Sequence, residues 1–213
     1  SLTLSSHALT SVDVSGLTQL TTLYLNNNQL TSVDLSKNTL VTTLHIEGNQ
    51  LASVDLSGQT KVSTLYLSDN SPLSEIVWPA GNSSLKNVYA LNLVGMTGTL
   101  DLSAYPSLSY VSANGSHYTA IDVRGTIPAS LFCTGSEVSA IYADSVKTTL
   151  NCTGSRMTPA TLPQLSPKNY LYAPLAAYEL SEDIKAGEAL HLSGLESAGN
   201  EGPYTWKYAK GTP

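Results

Sequence analysis

The chain has 213 residues, 41% of them hydrophobic, 12% charged, and a formal net charge of −6. Charge this sparse and net acidic excludes a phosphate-backbone partner, which needs clustered Lys and Arg to displace counterions, and no apolar run approaches the ~20 residues of a bilayer-spanning helix. The length allows one large domain, or one domain with part of a second, and a surface of Ser, Thr, Asn and Gly points to an exported or surface-displayed β-rich protein.

Self-similarity governs the first two thirds of the chain. Residues 9–29 (LTSVDVSGLTQLTTLYLNNNQ), 30–50 (LTSVDLSKNTLVTTLHIEGNQ) and 51–71 (LASVDLSGQTKVSTLYLSDNS) align without a gap at a period of 21. The shared pattern is L-x-x-V-D-[LV]-S, then an apolar residue, then L-x-[LI]-x-x-N. The L-x-L pairs continue as Leu2/Leu4, Leu23/Leu25, Leu44/Ile46, Leu65/Leu67, Leu91/Leu93, Val111/Ala113, Leu131/Cys133, Leu150/Cys152 and Tyr170/Tyr172. Their steps are 21, 21, 21, 26, 20, 20, 19 and 20, the 26 marking an insertion with Trp78, Pro79, Gly81 and Asn82. A second apolar pair recurs at Val12/Val14, Val33/Leu35, Val54/Leu56, Leu100/Leu102 and Ile121/Val123, and degrades to Ile141/Ala143 and Ala160/Leu162.

The L-x-x-L-x-L-x-x-N pattern resembles the leucine-rich-repeat superfamily. The short V-D-L-S form is similar to bacterial surface proteins of the internalin-like kind, and the later L-x-C-x-x-S form (Leu131–Ser136, Leu150–Ser155) resembles a variant common among them. The resemblance is strong over residues 1–123, weaker to about 162 and absent after about 175. It implies a mainly β solenoid: about nine parallel strands on a concave face, few or no α-helices, and an extended or 3-10 convex side. It implies a partner only as a class, because the superfamily binds many unrelated molecules.

The physics of the pattern agrees. In T-L-Y-L-N alternate side chains face opposite sides of a strand, so leucines point in and Thr, Tyr and Asn point out. Five or six buried apolar side chains, each contributing about 1.5–3 kcal/mol, cannot offset ordering some twenty residues at roughly 1–2 kcal/mol each. Repeats therefore fold only as a stack that shares faces and ladder hydrogen bonds. The Asn28, Asn49 and Asn70 column is expected to turn inward and satisfy bent backbone, with His7, Met96, Ser116, Ser136 and Ser155 at that position elsewhere. Leu2 and Leu4 stand in strand positions with nothing before them, so the sequence reads as a fragment. Composition changes near Pro174, giving a solenoid over 1–175 and a C-terminal antiparallel β segment over 176–213. Its runs Glu188–Leu192 and Tyr204–Tyr208 and Trp206 resemble the opening strands of an immunoglobulin-like module; a cap on the last repeat is the other reading.

Three outward columns make the candidate site. The middle residues of the L-x-L pairs are Thr3, Tyr24, His45, Tyr66, Asn92, Ser112, Phe132, Asn151 and Leu171; Ala90 and Tyr110 stand in the column before, and Glu47 and Val94 in the column after. Tyr24, His45, Tyr66 and Glu47, with Tyr110 and Phe132 further along, are the expected ligand-binding residues. Exposed aromatics with polar tips suit interfaces, although cross-strand stacking alone would also account for them. The expected ligand is a protein, peptide or glycan bound by a monomer at the cell surface or after secretion, without nucleic acid or membrane insertion; a rigid spacer is the alternative.

No cofactor, metal or catalytic residue is expected. His45 and Glu47 lack a third ligand. Asp13, Asp34, Asp55, Asp101 and Asp122 form an acidic column that either binds calcium or, as expected here, accepts local hydrogen bonds. Cys133 and Cys152 face inward on neighbouring strands, where they either meet in a disulfide or, the preferred reading, pack as reduced thiols. No catalytic motif is present, and no histidine has an orienting acid in evident reach.

Overall fold

A computed structural model describes residues 1–82 and 84–157 and the backbone of a last strand at 169–171. These residues form a solenoid of short parallel strands, with no α-helix or 3-10 turn among them. The concave sheet has nine strands: β1 (Leu2–Thr3), β2 (Thr22–Tyr24), β3 (Thr43–His45), β5 (Thr64–Tyr66), β7 (Asn87–Tyr89), β9 (Tyr110–Ser112), β11 (Ser130–Phe132), β13 (Thr149–Asn151) and β14 (Asn169–Leu171), hydrogen-bonded in that order. The convex side carries two smaller parallel sheets. One pairs β4 (Ser53–Asp55) with β6 (Glu75–Val77), and the other orders β8 (Thr99–Asp101), β10 (Ala120–Asp122) and β12 (Ala140–Tyr142) as β12-β10-β8. Of the two conformations expected for the convex side, it takes the extended one.

Register follows the leucines. Leu23, Leu44, Leu65, Val88, Val111, Leu131 and Leu150 pair successively across the concave sheet and are all fully buried. Val54, Leu56, Leu100, Leu102, Ile121 and Val123 close the same core from the convex side. A one-residue slip would turn each leucine out to solvent, so burial on one face pins the pairing. At the N-terminal end the core is open to solvent: Leu2, Leu4, Leu9 and Val12 are only partly buried.

The expected step of 26 is wrong. The fifth strand of the sheet is Asn87–Tyr89, so Val88 and Ala90, not Leu91 and Leu93, fill the L-x-L positions, and Leu65 pairs with Val88. The stretch N-V-Y-A-L-N-L contains two overlapping apolar pairs three residues apart, and the more hydrophobic one lies outside the ladder. Two consecutive repeats of 23 residues replace one of 26 and one of 20. This register buries Leu73, Leu85 and Leu93 completely. Leu93, not Met96, occupies the asparagine position of that repeat, as its N–H bond to Ser116 Oγ shows.

The asparagines do what their spacing predicts. Asn28 Oδ1 accepts from His7 N–H and Leu9 N–H at 2.9 and 3.0 Å, while its amide donates to Leu4 and Leu25 carbonyls at 2.8 Å each. Asn49 accepts from Leu30 N–H and donates to Leu25 and Ile46; Asn70 accepts from Leu51 N–H and donates to Ile46 and Leu67. Each amide thus ties its own turn to the preceding one. The residue before it adopts positive φ in turn after turn (Asn27 at 56°, Gly48 at 65°, Asp69 at 57°, Asn92 at 54°), the left-handed region open to Gly, Asn and Asp. At Gly48 a side chain is excluded twice over, because a Cβ would collide with Asn27 Oδ1.

A second buried amide ladder stands at the opposite corner and was not anticipated. Asn38 donates to the Val14 and Leu17 carbonyls, Gln59 to Leu35, and Asn82 to Gln59 and Val62. All three are at most 1% exposed. The β14 backbone pairs in parallel with β13, as the Tyr170/Tyr172 spacing predicts. The expected Ala160/Leu162 pair, the domain boundary near 175 and the antiparallel C-terminal segment lie outside the described residues.

Candidate ligand-binding face

Six aromatic rings run unbroken along the concave sheet. Tyr24 stacks on His45 with centroids 4.5 Å apart, His45 on Tyr66 at 3.9 Å, and Tyr66 on Tyr89 at 4.2 Å with planes only 4° apart. Tyr89 then meets Tyr110 at 4.9 Å, and Tyr110 meets Phe132 at 5.5 Å, both tilted. The in-register parallel ladder is the cause. It sets like positions of successive strands about 4.8 Å apart, close to the separation at which offset rings attract. All six are half-buried, their edges reaching solvent.

The structure therefore gathers every aromatic residue singled out from the sequence as ligand-binding into one row. Tyr24, His45 and Tyr66 are consecutive, and Tyr110 and Phe132 continue the line. The missing member is Tyr89, which the mistaken register hid; Asn92, expected in its place, is an exposed turn residue bonded to Asp69. Asn87 and Leu91 likewise replace Ala90 and Val94 in the flanking columns, and Ala90 is fully buried. The row also shifts sideways once. Ser112, in the ring column, is buried, and Tyr110 from the column before supplies the ring instead.

Glu47 sits beside the row. His45 Nδ1 lies 3.0 Å from Glu47 Oε1, with the two side chains 17% and 21% exposed. The expectation that no histidine has an acid partner is thus overturned: on a strand, residues two apart share a face. Glu47 Oε2 is buried and has no hydrogen-bond partner. Burial, then the neighbouring Tyr66 hydroxyl, raises Tyr89 above the usual phenol range, and burial, then Tyr89, raises Tyr110.

Away from this face, the polar columns have structural roles. Ser15, Ser36, Ser57 and Ser103 N–H groups donate to Asp13, Asp34, Asp55 and Asp101, and Arg124 N–H to Asp122. These are the local bonds expected of the acidic column. Among the described residues no three His, Cys, Asp or Glu side chains come together in a metal-binding group. Cys133 and Cys152 are fully buried and not in a disulfide. The Cys152 sulfur, then burial, pushes the Cys133 thiol up, which makes it a poor nucleophile.

The stacked parallel ladder, inward leucines and asparagine turns define a leucine-rich-repeat solenoid. Seven chains of known structure match it. One, from the crystal structure of the LRIM1/APL1C complex, superposes with a TM-score of 0.59 at 17% identity, covering 79% of this chain and 35% of its own. Another, the functional domain of InlJ from Listeria monocytogenes, which includes a cysteine ladder, gives a TM-score of 0.42 at 19% identity over 81% of this chain and 53% of its own. The chain thus spans about a third of the first neighbour's length and about half of the second's. No protein-family model and no curated protein matches the sequence.

Proposed function

We propose that this domain is a non-enzymatic binding module of an exported or cell-surface protein, and that its concave face holds a protein, peptide or glycan. One observation carries the reading: six rings form a continuous, half-buried row on the open face of the sheet, flanked by Thr, Ser and Asn. Rings ordered by stacking lose little freedom on binding, and Tyr adds a hydrogen-bonding tip to an apolar body. The low charge and Ser/Thr-rich surface support export. The residues proposed to contact the ligand are Tyr24, His45, Tyr66, Tyr89, Tyr110 and Phe132, with Glu47 at the margin.

The test is the double change Tyr24→Ala with Tyr66→Ala. Cross-strand pairs contribute about 0.2–1 kcal/mol each, so folding should survive with a modestly lower melting temperature. Ligands captured on protein, peptide or glycan arrays should be lost or weakened by roughly 10-fold or more, as for interface aromatics elsewhere. Undiminished capture by the double variant would leave the row as a stiffening device and favour a spacer.

A further inference from the structure

We infer that the ring row takes a polypeptide and not a glycan, and that Glu47 receives a Lys or Arg side chain of that partner. The inference rests on the proposed binding role of the concave face and specifies its ligand.

The geometry of the rings separates the two chemistries. A sugar binds an aromatic residue by laying its C–H face over an open ring face. Here the faces of the four inner rings look onto neighbouring rings, in stacks at His45 and Tyr66 and at tilts of 33° and 38° on the two sides of Tyr110. His45 lies between Tyr24 and Tyr66, Tyr66 between His45 and Tyr89, Tyr89 between Tyr66 and Tyr110, and Tyr110 between Tyr89 and Phe132, with centroids 3.9–5.5 Å apart. What the row presents is a ladder of edges, spaced about one strand apart. Ring edges carry the positive end of the quadrupole and meet the faces of incoming aromatic side chains in T-shaped contacts, or pack against aliphatic ones. Polypeptides supply both. The Thr, Ser and Asn columns beside the ladder provide the polar rim that such interfaces have.

Charge identifies one anchor. Within the three columns of the described strands, Glu47 is the one carboxylate, and no Lys or Arg accompanies it. One of its oxygens is engaged by His45, and the other has no donor. A carboxylate oxygen left without a partner in a half-buried site is costly, and a charged donor that reaches it recovers more than a neutral one. Reaching it requires the Glu47 side chain, 21% exposed, to turn that oxygen towards the open face when the ligand arrives. A ligand ammonium or guanidinium that seats there supplies the missing donor, while neighbouring residues of the ligand cover the ring edges. The net charge of −6 favours the same sign of partner at longer range.

The experiment probes arrays of immobilised, sequence-diverse 15-residue peptides and of glycans with the labelled intact chain, the Glu47→Gln variant and the Tyr24→Ala/Tyr66→Ala variant, each checked for folding by circular dichroism. The expected result is that the wild type captures peptides enriched in Lys and Arg, with glycans at background. Glu47→Gln should weaken those peptides roughly 10-fold or more, the effect of one hydrogen bond to a charged group, and abolish the enrichment. Should Glu47→Gln fail to fold, the salt dependence of wild-type capture takes its place: affinity for basic peptides must fall as salt rises. Glycan capture that depends on Tyr24 and Tyr66 would overturn the inference while sparing the binding role of the face. Equal capture of basic peptides by Glu47→Gln would remove the anchor alone. Capture indifferent to Tyr24 and Tyr66 would sink the ring row itself, and no peptide capture by the wild type would overturn the inference outright.

Discussion

Between Leu23 and Asn82 both corners of the solenoid are held by side-chain amides; between Leu93 and Ser155 they are held by hydroxyls or by packing. At the first corner, Asn28, Asn49 and Asn70 reach their own repeat and the one before. Ser116 still reaches the repeat before it, donating to Ala90 C=O and accepting from Leu93 N–H, but Ser136 and Ser155, among the described residues, bond only their own turn, donating to Cys133 and Cys152 carbonyls. At the second corner Asn38, Gln59 and Asn82 give way to Tyr105, Thr126 and Val146, all buried. The repeat shortens with them, from 21 residues between Leu23 and Leu44 to 19 between Leu131 and Leu150. The exposed face does not register the change. The rings pass from the amide region into the hydroxyl region without a break, Tyr110 covering the place where Ser112 is too small. Interior chemistry and surface pattern are therefore separable in this fold, because inward and outward positions alternate along every strand.

The sharpest way to break this contrast is to remove one corner side chain from each region. Asn49→Ala strips Leu30 N–H of its buried partner and removes the amide bonds to the Leu25 and Ile46 carbonyls, which keep Asn28 and Asn70 as donors, so a link between repeats is cut. The orphaned N–H costs about 1–3 kcal/mol and each lost amide bond about 0.5–1.5 kcal/mol, so a loss of about 2–4 kcal/mol is expected in chemical denaturation, with faster amide exchange at Leu30. Ser136→Ala removes a hydroxyl that donates to Cys133 C=O and accepts from Val138 N–H, both within its own turn, and should cost about 1–2 kcal/mol. Equal losses would show that the amides give no more cross-repeat support than the hydroxyls.

Tyr118 sharpens the contrast from the other side. It fills the column of Leu30 and Leu51 but brings a hydroxyl that is buried without a partner. Tyr118→Phe should stabilise by about 1 kcal/mol, since a buried donor without an acceptor is a cost. Burial also pushes the Tyr118 phenol above its ordinary value of 10.0. The folded state favours the neutral phenol, so its contribution is intact below pH 10 and is lost as pH rises beyond it. The wild type should weaken in denaturant melts above pH 10, and Tyr118→Phe should weaken less. An unchanged alkaline profile would show that the Tyr118 phenol ionises as readily in the folded chain as in the unfolded one.

The solenoid was legible because a 21-residue period repeats three times without a gap, and period-2 alternation assigns each side chain to a face. The ring row was legible for the same reason, apart from Tyr89. Two small insertions, at Ser71/Pro72 and near Pro79, shift the ladder by two residues, and Leu91/Leu93 outshouts Val88/Ala90 on hydrophobicity alone. Only pairing geometry distinguishes the two, since Val88 meets Leu65 while Leu93 fills a turn. The second amide corner was not legible, because its occupants change type: Asn38, Gln59, Asn82, Tyr105, Thr126 and Val146 share a location and a burial but no chemistry. Glu47 was visible beside His45, yet its engagement of the ring depends on side-chain rotamers that spacing does not encode.

The smallest expected effect lies on the convex edge, where both regions carry an aspartate in the same place but hold it differently. Ser15, Ser36 and Ser57 bonds hold Asp13, Asp34 and Asp55 below the ordinary aspartate value of 3.8, whereas Asp122 is lowered first by the Arg124 side chain. Lowered values mean that the stabilising contribution is present above the unfolded pKa and is lost as pH falls through the folded one. Stability should therefore dip only below about pH 4, the ordinary carboxylate range, and only slightly, because Asp13, Asp34 and Asp55 are exposed and screened and the buried Asp122 is paired with an exposed Arg124. Salt separates the two kinds. The Asp122–Arg124 share involves full charges and should shrink in 1 M salt, while the serine-bonded share should persist. Asp34→Asn should flatten part of the acid dip at both salt levels. A dip that vanishes entirely in salt would mean that charge, not the serine hydrogen bonds, governs the whole column.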